Sequence, residues 1–137
     1  MLKSKEILKE AKNIVVIGAS NNTTKAAHRI PKYLQDVGYN IIPINPGSDE
    51  VLGVKAYKSI TDVPKDIKID IVNIFRPSKD IDALLPAIFE RLEEVKDIKL
   101  LWLQEGIHSK EAKELSKENG IHFIQSICIY KIHAAIK

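Results

Sequence analysis

The residues of this chain best suited to chemistry lie in a polar loop that follows the first hydrophobic run. The run Asn13–Gly18 ends in a glycine, and the small polar residues 19–24 lead to Lys25 and a helix-like segment. Glycine permits a turn that a Cβ would block, and free N–H groups at the start of a helix bind anions. The loop therefore predicts a phosphate site, formed by Gly18, Ala19, Ser20 and Asn21.

Two cations follow this loop closely. Pro31 cannot lie deep inside a regular helix without the loss of a backbone bond, so the helix is expected to begin near residues 27–28. That start makes the loop unusually long and places Lys25 and Arg29 at or near its mouth, where they would suit a doubly charged phosphate. Solvated surface cations are the competing interpretation of both residues.

A second hydrophobic run, at residues 40–45, ends in Asn45 and Pro46. In an NAD site this strand carries an Asp or Glu for the ribose, and the first loop carries G-x-G-x-x-G. Only the first of those glycines, Gly18, is present. The pattern therefore indicates a nucleotide-type site that is not built for NAD. The Asn45 amide has a donor and an acceptor that could bind a ribose or the edge of an adenine. The alternative interpretation is that Asn45 only initiates a turn before Pro46.

Two later hydrophobic runs end in short polar segments, Phe75-Arg76-Pro77 and Gln104-Glu105-Gly106. Ligands of open parallel sheets bind beyond the carboxyl ends of the strands, so these residues are expected to line the same cleft. Arg76 faces the ligand in this interpretation, or else lies on the surface at a helix start.

Neither catalysis nor metal binding is indicated. The four histidines lack metal-ligand spacing, and no Ser/His/Asp order or nearby pair of carboxylates argues for catalysis. Cys128, the one cysteine, lies in an apolar run and is expected to be buried rather than nucleophilic. We expect no catalytic residue and no metal site.

Hydrophobic runs alternate with helix-like segments along the whole chain. This alternation predicts an α/β fold, a Rossmann-like, doubly wound and mostly parallel sheet of five to six strands with helices on both faces. Residues 1–137 are expected to form a single domain. Ser78 is expected to cap a helix, Pro86 to bend that helix or mark its start, and residues 127–137 to form a strand and then a helix.

The composition favours a cytoplasmic protein. Of the 137 residues, 45% are apolar and 28% charged, and the net charge is +3, without a basic block of the kind that binds nucleic acid. No apolar stretch is long enough for a membrane span, and the first residues lack the apolar core of a signal peptide. A single cysteine excludes a disulfide framework within one chain.

The chain resembles the small, single-domain CoA-binding proteins of bacteria and archaea, which share their fold with the CoA-binding domain of the succinyl-CoA synthetase alpha subunit. The likeness runs nearly end to end. Its most specific pieces are Phe75-Arg76 and residues 102–107, Trp-Leu-Gln-Glu-Gly-Ile. The likeness also includes residues 16–21, 32–34, 38–39, 44–46, 52–53 and 70–72, of which the Gly-Ala-Ser and Asn-Pro pieces are not specific.

This resemblance implies that the first loop holds the phosphates of CoA and that Asn45-Pro46 flanks its adenosine end. Residues 75–77 and 104–106 would line the cleft along the cofactor. Three departures from the family pattern stand out. Thr23 stands where a loop proline is common in the family. Gly47-Ser48 replace the basic residue that follows the second-strand proline in the synthetase. In the tail, where the family usually has a Cys followed shortly by a Glu, this chain has residues 128–133, Cys-Ile-Tyr-Lys-Ile-His.

The sequence thus predicts a non-catalytic module that binds CoA or an acyl-CoA and senses the cofactor or presents it to a partner. Neither nucleic acid nor a membrane is expected as a partner. The sequence does not decide whether the chain binds a second copy of itself or another protein. The alternatives are an NAD(P)-binding domain of an oxidoreductase and an interaction module that has lost its ligand.

Overall fold

A computed structural model describes residues 2–137. Helices and parallel strands alternate along the chain, with a small antiparallel hairpin and a short 3-10 helix at Ile60–Asp62 between the second and third long strands. The helices are α1 (Leu2–Glu10), α2 (Ala26–Asp36), α3 (Ser78–Val95), α4 (Lys110–Glu118) and α5 (Ile129–Ile136). The strands are β1 (Asn13–Ile17), β2 (Asn40–Ile44), β3 (Glu50–Val51), β4 (Val54–Lys55), β5 (Ile71–Ile74), β6 (Leu100–Leu103) and β7 (His122–Ile124).

Five of the strands form one parallel sheet in the order β2-β1-β5-β6-β7. The chain moves outward from β1 to β2 and then returns to the other side of β1 with β5. The strand order therefore reverses between β1 and β5, and the carboxyl ends of these two strands enclose the crevice in which such sheets bind ligands. The predicted fold class is confirmed.

The sheet is buried on both faces, which explains its uninterrupted apolar runs. Val15, Val72 and Leu101 pack with α3 and α4 on one face. Ile14, Ile71 and Trp102 pack on the other face with α1, α2 and α5. The helices thus cover both faces, as predicted, and leave the carboxyl edge of the sheet to the loops.

Two local predictions were wrong, and one of the two alternatives for Pro86 is excluded. Pro77, not Ser78, is the cap residue of α3, and the Ser78 hydroxyl instead accepts the backbone N–H of His108 at 2.9 Å. Pro86 does not start that helix, which runs unbroken from Ser78 to Val95 with the proline on its exposed side. The tail forms only a helix, α5, without a preceding strand.

None of the helices within residues 2–137 combines the length and the apolar character needed to cross a bilayer.

Candidate ligand-binding site

A cavity of about 420 Å³ opens at the carboxyl ends of β1 and β2, next to the point where the strand order reverses. The polar loop after β1 forms one wall, the end of β2 another, and α3 with the segment after β4 closes the remainder. Its lining residues are Ile17, Gly18, Ala19, Ser20, Lys25, Ile44, Asn45, Pro46, Lys58, Ser59, Ile60, Arg76, Leu84 and Ala87.

A second cavity, of about 530 Å³, lies on the α2 and α5 side of the same edge. Lys25 and Arg76 line both cavities, so the two spaces meet at this pair of cations. The walls of the second cavity are mostly apolar. They are formed by Ala26, Ala27, Ile30, Phe75, Pro77, Gln104, Glu105, Ile107 and Cys128 together with the two cations.

The backbone is closely packed around Gly18. Its φ is +90°, and a Cβ at this position would lie 2.8 Å from the carbonyl oxygen of Phe75 and 3.2 Å from Cδ of Arg76. Its N–H donates to the carbonyl oxygen of Ile44 at 3.0 Å. The glycine is therefore required for the ends of three strands to approach each other, whatever ligand the loop holds.

The loop after Gly18 is fastened to α2. The hydroxyl of Ser20 accepts the N–H of Asn22 at 3.0 Å, and the N–H of Ser20 donates to the carbonyl oxygen of Ala27 at 3.1 Å. His28 Nδ1 donates to the carbonyl oxygen of Ser20 at 2.8 Å. These bonds give the loop a defined shape before any ligand arrives.

Helix α2 begins without a side-chain cap. Lys25 is its N-cap residue, in extended conformation, and no side chain accepts the first N–H groups. The helix start was predicted at residues 27–28 and lies at Ala26. Because the first N–H groups of a helix lack intrahelical acceptors and lie at the positive end of its dipole, this helix start is suited to an anion.

Three cations line the first cavity, and no Asp or Glu does. They are Lys25, Lys58 and Arg76. Arg76 also pairs with Asp80 at 2.9 Å, an exposed contact that leaves donors of the guanidinium available. The cavity therefore has a positive potential suited to a ligand with several negative charges.

Three predicted site residues, Asn21, Arg29 and Gly106, lie outside both cavities, and the first two brace the loop. The guanidinium of Arg29 turns back and donates to the carbonyl oxygen of Thr24. The amide of Asn21 donates to the carbonyl oxygen of Glu50 at 2.9 Å and so ties the loop to the β3–β4 hairpin. Both side chains brace the loop in this structure, and neither lines the space that it encloses.

Asn45 and Pro46 lie where the sequence placed them, on the wall of the first cavity. The Asn45 side chain is engaged at both ends. Its Nδ2 donates to the carbonyl oxygen of Ala19 at 2.9 Å, and its Oδ1 accepts the N–H of Gly47 at 2.8 Å. The amide thus holds the first loop against the end of β2 and also forms the turn before Pro46.

The predicted residues after β6 divide in a similar way. Gln104 lines the second cavity, and its Oε1 accepts the N–H of Ile129 at 3.0 Å, which anchors the start of α5. Glu105 lines the same cavity and pairs with Lys131 at 3.3 Å. Gly106 lines neither cavity and donates its N–H to the hydroxyl of Ser126.

Several lining residues were not predicted from the sequence. Lys58, Ser59 and Ile60 enter the first cavity from the segment between β4 and β5, and Leu84 and Ala87 enter it from α3. The apolar stripe of α3 was visible, but nothing in the sequence distinguished Lys58 from the other lysines. The burial predicted for Cys128 is confirmed, since the residue is only 7% exposed; it also borders the second cavity.

Within residues 2–137, no group of three or more His, Cys, Asp or Glu side chains is placed to hold a metal ion.

Comparison with known proteins identifies a family. A family model described as "CoA binding domain" matches residues 12–134. The uncharacterized protein YneT of Bacillus subtilis is 42% identical over 97% of this chain and 93% of its own length. The acetate–CoA ligase (ADP-forming) II subunit alpha of Pyrococcus furiosus is 32% identical over 78% of this chain, which matches only 23% of that subunit.

Solved structures have the same architecture. A Thermus thermophilus protein designated cell-free ID.343 superposes with a TM-score of 0.90 at 30% identity and covers 99% of this chain and 98% of its own. A hypothetical protein from Pyrococcus horikoshii superposes with a TM-score of 0.88, also at 30% identity, over 98% of this chain and 90% of its own.

Proposed function

Because this chain belongs to the CoA-binding domain family, we propose that it binds CoA or an acyl-CoA across the crevice between β1 and β5. The single observation that carries the proposal is the first cavity, which three cations line without a carboxylate and which adjoins the uncapped start of α2. CoA carries a pyrophosphate and a further phosphate on its ribose, so it needs a site of this charge.

The two cavities suggest how the ligand lies. We place the pyrophosphate at the phosphate-binding loop, residues 18–25, beside Lys25 and Arg76, where the cavities meet. The adenosine then occupies the first cavity against Asn45 and Pro46. The pantetheine arm, which is largely uncharged, occupies the more apolar second cavity between Phe75 and Ile107.

We propose that the chain has no catalysis of its own and that residues 1–137 act as one CoA-binding module in the cytoplasm. Support for a binding role comes from the ligase relative, of whose alpha subunit this chain matches less than a quarter. The side chains around the second cavity include no nucleophile paired with a base; Cys128 is buried there in an apolar setting. Sensing the cofactor or presenting it to a partner is the role that such a module can fill.

An NAD(P)-binding domain of an oxidoreductase is the competing function. A ribose carboxylate is absent from the end of β2, where Asn45 bonds to Ala19 and Gly47 instead. An interaction module without a ligand is the other alternative, and the positive, open first cavity weighs against it.

Titration calorimetry of the purified chain with CoA and with NAD tests the proposal. We expect measurable binding of CoA and much weaker binding of NAD. Tighter binding of NAD would assign the site to a dinucleotide. Absence of heat with either ligand, in protein shown by circular dichroism to be folded, would favour the interaction module.

A further inference from the structure

Lys58 is a cation that the proposed phosphate loop does not supply. It follows β4 in the chain, yet its Nζ donates to the carbonyl oxygen of Pro46 at 3.2 Å, at the end of β2. It lines the first cavity beside the end of β2, where Asn45 and Pro46 also line it. The cavity thus has one group of cations at the pyrophosphate side, Lys25 and Arg76, and a separate cation at the β2 side.

The backbone fixes Lys58 in this place. Tyr57 forms a parallel bridge with Ile44, its carbonyl oxygen accepts the N–H of Asn45 at 2.9 Å, and its N–H donates to Pro43 at 2.9 Å. These bonds lay residue 58 directly beside the carboxyl end of β2. The position of the lysine therefore follows from strand pairing and not from a flexible surface loop.

The hydrogen-bonding capacity of Lys58 exceeds what the protein uses. An ammonium group has three donors, and the structure gives it one acceptor, the Pro46 carbonyl oxygen. No carboxylate of residues 2–137 pairs with it. Two donors remain for an anion at the β2 side of the cavity.

In nucleotide sites of this topology, the end of the strand beside β1 is where the ribose is read, and a cation there accepts a ribose phosphate. We propose that Lys58 is a specificity-determining residue that binds a phosphomonoester on the ribose, the 3′-phosphate of CoA. Gly47-Ser48, which follow Pro46 in the chain, carry no charge, so Lys58 supplies the cation at this end of the cavity. This inference rests on the proposed function.

The test measures CoA and 3′-dephospho-CoA on wild-type protein and on Lys58→Met. We expect wild type to prefer CoA by about tenfold, the size of one charge-assisted hydrogen bond. Lys58→Met should lose this preference through weaker binding of CoA, with dephospho-CoA unchanged. Lys55→Met is the matched control, because Lys55 is exposed over the Tyr57 ring and outside the cavity.

Equal affinity of wild type for CoA and dephospho-CoA would overturn the inference and leave the proposed function standing. The same conclusion would follow if Lys58→Met lowered the affinity for both ligands equally. NADP and NAD form the second pair of ligands, since NADP also carries a ribose phosphate. A preference for NADP over CoA that Lys58→Met abolishes would support the role of Lys58 and overturn CoA as the ligand. Failure to bind any of the four would contradict the proposed function itself.

Discussion

Gly18 and Phe75 approach each other so closely that a Cβ on the glycine would lie 2.8 Å from the carbonyl oxygen of Phe75. The two residues directly follow the neighbouring strands β1 and β5, and the N–H of Phe75 donates to the carbonyl oxygen of Ile17 at 2.8 Å. The crevice is thus closed at its base by backbone atoms. Gly18 has a structural role that precedes any role in binding.

Gly18→Ala is therefore expected to destabilise the unliganded protein. The variant combines a positive φ with overpacking against Phe75, each of which costs about 1–3 kcal/mol. Gly53→Ala is the control, because Gly53 has a φ of +74° but open space around it. Urea denaturation measures both free energies of unfolding. Equal losses in the two variants would show that the contact with Phe75 contributes nothing.

The cations of the crevice are expected to contribute unequally to binding. Lys25→Met and Arg76→Met should each weaken CoA binding, because both side chains line the two cavities. Arg29→Met should have a smaller effect, since Arg29 bonds to Thr24 and faces neither cavity. Calorimetry at low and high salt measures these affinities. The affinity of wild type should fall at high salt, because salt screens the attraction between exposed charges, with a Debye length of about 10 Å at 0.1 M.

If Arg29→Met weakens binding as much as Lys25→Met, Arg29 returns to the role that the sequence first suggested for it. Melting temperatures of the unliganded variants are the control for folding. They should stay near the wild-type value, because Lys25 and Arg29 are exposed and the Arg76–Asp80 pair is a surface ion pair.

The buried ion pair of Arg91 and Asp97 should matter for stability and not for binding. Asp97 accepts from Arg91 at 3.0 Å and from the N–H of Ile69 at 2.8 Å. The guanidinium also donates to the carbonyl oxygens of Val63, Pro64 and Ile67. Arg91→Met leaves Asp97 as an uncompensated buried charge, which costs about 3–5 kcal/mol.

Lys65→Met is the matched control for this pair, because Lys65 and Glu94 form an exposed ion pair on the same side of the protein. It should change the free energy of unfolding by less than about 1 kcal/mol. A similar, small loss in both variants would refute a stabilising role for the buried pair. Under conditions in which Arg91→Met stays folded, its affinity for CoA should match that of wild type.

Stability should also depend on His133, which attaches α5 to α2. Its Nδ1 lies 2.7 Å from the hydroxyl of Tyr33, and its ring packs edge-on against Tyr33 and Tyr39. Burial lowers the pKa of His133 below its usual value, and the charge of Lys137 lowers it further. Burial also raises the pKa of the Tyr39 hydroxyl, with Tyr33 as a second cause.

Because the folded state disfavours the charged imidazole, the unfolded chain binds more protons between the lowered pKa and the ordinary value of about 6.5. The stabilising contribution of neutral His133 is present above that value and is lost as the pH falls through the folded pKa. His133→Gln should therefore show a weaker decline in the free energy of unfolding on acidification than wild type. An identical decline in wild type and variant would exclude His133 as its source, and His108→Gln, at an exposed histidine, serves as the control.

Much of this fold could be predicted because the central strands are buried on both faces. Such strands appear in the sequence as apolar runs that end in turn residues, as at Gly18, Asn45 and Phe75. Their carboxyl ends meet at one edge in a parallel sheet, so these residues could be placed together without a structure. Ser78 could not be placed correctly, because the N–H of His108 that it accepts comes from 30 residues further along the chain.

The same limit applies to the site. Lys58 reaches the first cavity only because Tyr57 pairs with Ile44. This pairing is an isolated bridge, so no periodic pattern in the sequence predicts it. Arg29 follows Lys25 by four residues and lies on the same helix face by spacing alone. Its guanidinium nevertheless turns back and donates to Thr24, and the spacing of residues predicts neither the rotamer nor the hydrogen-bond partner.

The crystal structure of the chain with CoA tests the central claim most directly. We predict the pyrophosphate of CoA at the start of α2 within hydrogen-bond distance of the loop at residues 18–25, with the adenosine in the first cavity beside Asn45 and Pro46. The pantetheine arm should extend past Arg76 into the second cavity. CoA bound elsewhere on the surface, with this crevice unoccupied, would contradict the account.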